Sequence, residues 1–175
     1  MYRLPVATVL VLFATACGEP VGEPSFRTAT PYPPSLPAPP VLREISASPL
    51  FPAPDPALWP ADVQSGLATL LGQRTLFIAA PGQPVDLSCV PAPGVPRERL
   101  VAAVIGPKFA VLQVEAGGFA PINKVWVFAR GSAQATLLWA QLGQPHLAPE
   151  ALLPAIRSGS LWPGARPSLS APAGT

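Results

Sequence analysis

Residues 100–140 read LVAAVIGPKFAVLQVEAGGFAPINKVWVFARGSAQATLLWA. Short apolar runs in this stretch are separated by Gly and Pro, which is typical of β-strands joined by tight turns. The run 100–105 is apolar throughout, so we expect a central strand that is covered on both faces. The last run alternates in polarity, and this alternation places four residues on one face of a strand: Ala133, Ala135, Leu137 and Trp139.

Short apolar runs bounded by Gly and Pro also occur before residue 100. Six short runs predict a mainly β fold, a small sandwich or barrel of about six strands. The runs are 74–79, 85–90, 100–105, 109–115, 125–130 and 133–140. One helix is expected before them, because apolar residues at helical spacing follow Asp62 and are ended by Gly72. These elements define a β-rich domain over residues 61–144.

The β-rich domain has few charged residues for its size. Between Leu100 and Ala140 only four of 41 residues are charged. A small β domain cannot hide both faces of its strands, so we expect an exposed apolar surface that matches a partner, with Trp126 and Phe128 as candidate interface residues. The alternative is that the tail 145–175, which is compatible with a short helix, covers this surface with Leu147, Leu152, Leu153, Ile156, Leu161 and Trp162.

Residues 18–60 are rich in proline, with 13 Pro in 43 positions. Each proline removes a backbone donor and disfavours helix at the preceding residue, so residues 17–60 are predicted to be a lipidated Cys and a semi-rigid spacer. Stable packing is expected to be absent from residue 18 to about residue 56. The stretch 41–45 is the one place where we expect this spacer to lie on the domain, as an edge strand. Matches to the PxxP spacing of groove-binding ligands also occur here, as they do in most Pro-rich stretches.

The N-terminus has the three parts of a secretory signal. Arg3 precedes an apolar run from Val6 to Phe13, and small residues follow at 14–16. The sequence Ala14-Thr15-Ala16-Cys17 resembles the lipobox of bacterial lipoproteins. This resemblance implies removal of a signal peptide 1–16 and lipidation of Cys17. Incorporation of labelled palmitate is the usual assay for such lipidation. The alternative, a disulfide between Cys17 and Cys89, would tie a Pro-rich terminus to the domain.

The resemblance to lipoproteins also implies a location. A lipidated N-terminus with several acyl chains stays in a bilayer leaflet. Gly18 after the Cys is similar to the signal that sends lipoproteins to the outer membrane, facing the periplasm, when the host has two membranes. We therefore expect an exported protein that is lipid-anchored to the bacterial cell envelope.

Composition argues against several classes of function. The formal charge is +2 and the basic residues are scattered, which disfavours nucleic-acid binding. A chain with two Cys and a single His offers few ligands, so we predict no metal site and no cofactor. A Cys89, His146 and Asp86 triad is formally conceivable. Because Cys89 lies in a strand-like apolar run, burial explains it better, and we predict no catalytic residue and no enzyme.

The expected function follows from the layout of the chain. A lipidated Cys, a Pro-rich stretch and a small β domain together resemble the accessory lipoproteins of type IV pilus and secretion machines, whose β domain docks on an outer-membrane channel. The resemblance implies protein binding or assembly with another envelope protein. A carrier of a small apolar ligand is the second hypothesis, and an enzyme acting through Cys89 is the third.

Overall fold

The computed structural model describes residues 36–88, 92–117 and 120–163. The described strands are β1 (Phe51–Pro52), β2 (Glu98–Ile105), β3 (Phe109–Ala116), β4 (Ile122–Ala129) and β5 (Thr136–Leu142). The described helices are α1 (Pro39–Ala47), α2 (Ala61–Leu70) and α3 (Pro149–Ser158), with a short 3₁₀ helix at Pro56–Leu58. The predicted signal peptide, Cys17 and Cys89 lie outside the described residues.

The five strands form one antiparallel sheet in the order β1-β2-β3-β4-β5. Helix α2 packs on one face, which we call the α2 face, through Val63 and Leu67. Helices α1 and α3 pack on the other face, the α1–α3 face, through Ile45, Leu152 and Ile156. The mainly β character is confirmed. The predicted sandwich or barrel is wrong, because helices rather than a second sheet cover the two faces.

Four of the six predicted strands form, whereas the run 74–79 and the described residues 85–88 form no strand. The run 74–79 contributes a single bridge, from Ala79 to Arg99. The Gln73 side chain explains this, since it accepts from Phe77 N at 2.8 Å and donates to Phe77 O at 3.2 Å, and so occupies the groups that a ladder would need. The described part of the run 85–90 is irregular, because the Asp86 carboxylate binds backbone N–H groups there. The two-residue strand β1 was not predicted.

Strand β2 is covered on both faces, as its unbroken apolar sequence predicts. Ala102 and Val104 belong to the core of the α1–α3 face. Leu100, Ala103 and Ile105 belong to the core of the α2 face. The predicted helix before the sheet is also confirmed: it spans Ala61–Leu70, and Gly72 follows it with a φ of 66°.

The alternation predicted for the last strand is broken by a β-bulge. The register shifts between Val127 and Phe128, which pair with Trp139 and Leu137. Leu138 is the extra residue, so Leu137 packs on the α2 face whereas Trp139 packs on the α1–α3 face. Placing Leu137 and Trp139 on one face was therefore wrong.

The domain begins before Ala61, contrary to the predicted boundary. Pro39 and Pro40 occupy the first turn of α1, where a missing N–H costs nothing, and the following residues up to Ser48 contain no proline. Ile45 is fully buried in the core. The stretch 41–45 lies on the domain as expected, but as helix rather than edge strand. The prediction of an unpacked spacer is thus wrong for residues 39–56, and its part from residue 18 to residue 35 lies outside the described residues.

The tail after Gln144 also belongs to the folded unit, so the predicted boundary there is wrong. Helix α3 starts with Pro149 and continues through Pro154, which is exposed. The buried side chains of this segment are Leu152, Ile156, Leu161 and Trp162, and they join the core of the α1–α3 face. The tail covers apolar surface, as the alternative predicts, but on the α1–α3 face and not on the α2 face that holds Trp126 and Phe128. No helix among the described residues has the length and apolarity needed to cross a bilayer.

Candidate functional site

The predicted interface residues Trp126 and Phe128 lie in the core. Their exposed fractions are 0% and 1%, and both pack on the α2 face with Val63 and Leu67. The apolar surplus that suggested an interface is taken up by helices on both sides of the sheet. The prediction that Trp126 and Phe128 form an exposed surface for a partner is therefore wrong.

The two edges of the sheet differ in how they are protected. Strand β1 has only two residues, one of them Pro52, and such short, Pro-containing edges resist pairing with another chain. Strand β5 has seven residues, TLLWAQL, without a proline or a charged residue. Its neighbour in the sheet is β4 alone. The β5 edge therefore lacks the prolines and charges that commonly prevent strand addition, and its bulge at Leu138 leaves the segment 139–142 regularly paired with β4.

The hydrogen-bonding pattern shows which groups of β5 point away from the sheet. Gly143 N donates to Asn123 O at 2.9 Å, which makes these two residues a hydrogen-bonded pair. Pairs alternate in an antiparallel ladder, so Gln141 bonds to Val125 while Ala140 and Leu142 direct their N–H and C=O groups outward. Among the described residues, no backbone hydrogen bond from outside the sheet reaches these outward groups.

Exposed apolar side chains flank this edge. Leu142 is 51% exposed and Ile122 is 41% exposed. Leu142 pairs with Lys124, whose ammonium lies 5.7 Å from the centroid of the Trp126 ring and 4.0 Å from Glu98 Oε1. Burial lowers the pKa of Lys124. The end of the sheet thus presents apolar surface around a partly buried cation.

An ion pair holds the entry to β5. Arg130 Nε and Nη2 donate to the Asp62 carboxylate at 3.0 and 2.9 Å, and Nη1 donates to Gly106 O at 3.0 Å. Ala135 N donates to Asp62 O at 2.8 Å. A Cβ on Gly66 would lie 2.5 Å from Ala135 O, so α2 approaches β5 as closely as a glycine permits. Asp62 and Arg130 therefore position the strand; sequence reasoning did not single them out, because they are 68 residues apart.

The Asp62 ion pair predicts a specific dependence of stability on pH. The hydrogen bond from Arg130 holds the pKa of Asp62 below its ordinary value. A lowered pKa contributes stability above about pH 3.9, the unfolded value, and this contribution is lost as the pH falls through the folded pKa. We expect Asp62→Asn to lower the free energy of unfolding by about 1–3 kcal/mol at pH 6 and by much less at pH 2.

Urea unfolding of the chain at both pH values measures this difference. The matched control is Glu150→Gln, since Glu150 is exposed on α3. An equal deficit of Asp62→Asn at pH 6 and pH 2 would show that the carboxylate charge makes no contribution.

The conceivable catalytic triad finds no support in the described residues. The Asp86 carboxylate accepts from Ser88 N at 2.9 Å, from Ser88 Oγ and from Ala92 N. These hydrogen bonds lower the pKa of Asp86 to about 2. Such a carboxylate is better suited to holding the loop through hydrogen bonds than to accepting a proton in catalysis. His146 is exposed in a loop that buried Gln113 holds through Pro145 O and Leu147 N. No cluster of three potential metal ligands occurs in the part of the chain that the structure describes.

A cleft of about 440 Å³ lies between α1 and α3. It opens to solvent, and Arg43 and Arg157 line it together with Leu42 and Trp162. Arg157 Nη1 donates to Ser46 O, which makes this side chain a link between the two helices. A carrier of an apolar ligand would need an enclosed apolar cavity, and this cleft is neither enclosed nor apolar at its rim.

Comparison of the chain with models of protein families, with curated proteins and with solved structures finds no match.

Proposed function

We propose that this protein is an exported, lipid-anchored protein of the bacterial cell envelope that binds a partner protein by strand addition to the β5 edge. The observation that carries the binding role is the uncharged, Pro-free β5 edge with its outward N–H and C=O groups at Ala140 and Leu142. Added strands gain affinity from main-chain hydrogen bonds and specificity from side chains on alternate faces.

The membrane anchor in this proposal rests on the sequence. The signal-like residues 1–16, followed by Cys17, support lipid attachment. An anchor confines the domain to a surface and raises its local concentration near other envelope proteins. Weak edge contacts that would fail between freely diffusing molecules can therefore hold an assembly together at a membrane.

One experiment tests both parts of the proposal. The full chain is expressed in a lipoprotein-processing bacterium with labelled palmitate and chemically cross-linked in its membranes. It is then solubilised in mild detergent, and its complex is sized by chromatography with light scattering. We expect Leu142→Glu to reduce the amount of complex at least tenfold, because it adds a charge to an edge that must be desolvated. Glu is chosen because Lys124 lies opposite position 142 and would repel a lysine there.

The matched control is Leu58→Glu, which places the same charge on another exposed leucine. This control should leave the complex intact, whereas Cys17→Ala should abolish both the palmitate label and the complex. Equal complex in wild type and Leu142→Glu would contradict the binding role, and equal label in wild type and Cys17→Ala would contradict the anchor.

A further inference from the structure

We infer that the strand added to β5 is β5 of a second copy of this chain, related by a two-fold axis through Gln141. This inference rests on the proposed function, because it names the partner of the same edge. Three features of β5 support it: the alternation of its inward and outward backbone groups, the two irregularities that limit the strand, and its lack of charge.

The alternation of inward and outward backbone groups along β5 determines how two β5 edges can pair. Gln141 bonds to β4, so on the outer side it occupies a non-hydrogen-bonded position. A two-fold axis at Gln141 places Ala140 opposite Leu142 of the second copy, and Leu142 opposite Ala140 of the second copy. Both are outward-bonding positions, so each of the two pairs exchanges two N–H to O=C hydrogen bonds. All the outward groups of Ala140 and Leu142 are then satisfied.

Two irregularities exclude neighbouring registers. An axis at Ala140 would place Leu142 opposite Leu138, the bulged residue, which packs toward the α1–α3 face whereas Leu142 lies on the α2 face. An axis at Leu142 would draw in Gly143 and Gln144, but Gly143 has a φ of 73°, which lies outside the extended range of a strand. The register at Gln141 is the one that stays between the bulge and this glycine.

The side chains of β5 suit pairing with a copy of themselves. The strand carries no charge, so self-pairing brings no like charges together. On the α2 face, Leu142 of each copy would cover part of its exposed surface against Ala140 of the other. On the α1–α3 face the two Gln141 side chains meet. The Gln141 Oε1 atom is buried without a hydrogen-bond partner among the described residues, and rotation of the amide toward the edge would let it accept from the facing Gln141.

Disulfide cross-linking tests this register. The full chain carries Cys89→Ser, so that the thiol at position 89 is absent, and either Gln141→Cys or the control Thr136→Cys. Residues that face each other in a non-hydrogen-bonded pair have Cα atoms about 4.5 Å apart, within the range of a disulfide. Two copies of position 136, which is exposed on the same strand, would lie about 30 Å apart in this register.

After mild oxidation in membranes, we expect at least tenfold more covalent dimer from Gln141→Cys than from Thr136→Cys. The Cys89→Ser parent should give none; dimer in the parent would come from unlipidated Cys17 and would overturn the anchor. More dimer from Thr136→Cys than from Gln141→Cys would overturn the register and the inference with it.

The outcomes separate this inference from the proposed function on which it rests. If Gln141→Cys gives no dimer while Leu142→Glu still dissociates the complex, β5 binds a different protein. The inference then fails while the proposed function stands. If Gln141→Cys gives no dimer and Leu142→Glu leaves the complex intact, the inference and the proposed function both fail. Abundant dimer from Gln141→Cys that is lost when Leu142→Glu is added supports both.

Discussion

Replacing Trp126 by Ala is expected to destabilise the domain by about 3–5 kcal/mol, the usual cost of removing a buried aromatic side chain. Trp126 is fully buried on the α2 face, where it packs with Val63 and Leu67. Natural domains have net stabilities of about 5–15 kcal/mol, so this loss removes a large part of the total. Urea unfolding followed by circular dichroism should show a lower midpoint or no cooperative transition.

The matched control for Trp126 is Phe51→Ala, which removes an exposed aromatic side chain from the edge strand β1. Surface substitutions usually change stability by no more than about 0.5 kcal/mol. If Trp126→Ala and Phe51→Ala melted alike, Trp126 would not be a core residue, and the packing of α2 on the sheet would be in error.

Replacing Ile45 by Ala is expected to cost about 2–5 kcal/mol, although this residue lies within the Pro-rich segment. Ile45 is fully buried on the α1–α3 face with Leu152 and Ile156. A spacer without packing would tolerate the change freely. The same unfolding measurement therefore decides whether α1 is part of the folded unit.

Arg43→Ala is the control for Ile45, because Arg43 is exposed on the same helix. It separates the loss of packing from any change in helix propensity, since alanine is a strong helix former at both positions. Wild-type stability for Ile45→Ala would restore the description of residues 39–47 as an unpacked linker.

The central part of the fold follows from sequence pattern alone. Strands β2 to β4 are long apolar runs bounded by Gly and Pro, and α2 has a regular apolar stripe with a terminal glycine. Local pattern and tertiary environment agree in these elements, which is the condition under which periodicity predicts structure. The covering of the α1–α3 face by the tail also follows from its apolar residues.

The rest depends on tertiary contacts that sequence spacing does not reveal. Pro39 and Pro40 oppose a helix in its interior but permit one at its first turn, so the same prolines that predict a spacer begin α1. The bulge at Leu138 shifts a strand face by one residue, which reverses the alternation that the sequence predicts. The open β5 edge likewise emerges only when the strand order is known.

Strand addition at β5 can be measured by hydrogen exchange at the amide of Ala140, in the full chain anchored in its membrane. This N–H points away from β4, whereas the amide of Gln141 bonds to β4 and serves as an internal reference. We expect slow exchange at both amides in wild type, and at least tenfold faster exchange at Ala140 in Leu142→Glu while Gln141 stays slow. Exchange at Ala140 that is as fast in wild type as in Leu142→Glu, with Gln141 protected in both, would contradict strand addition at β5.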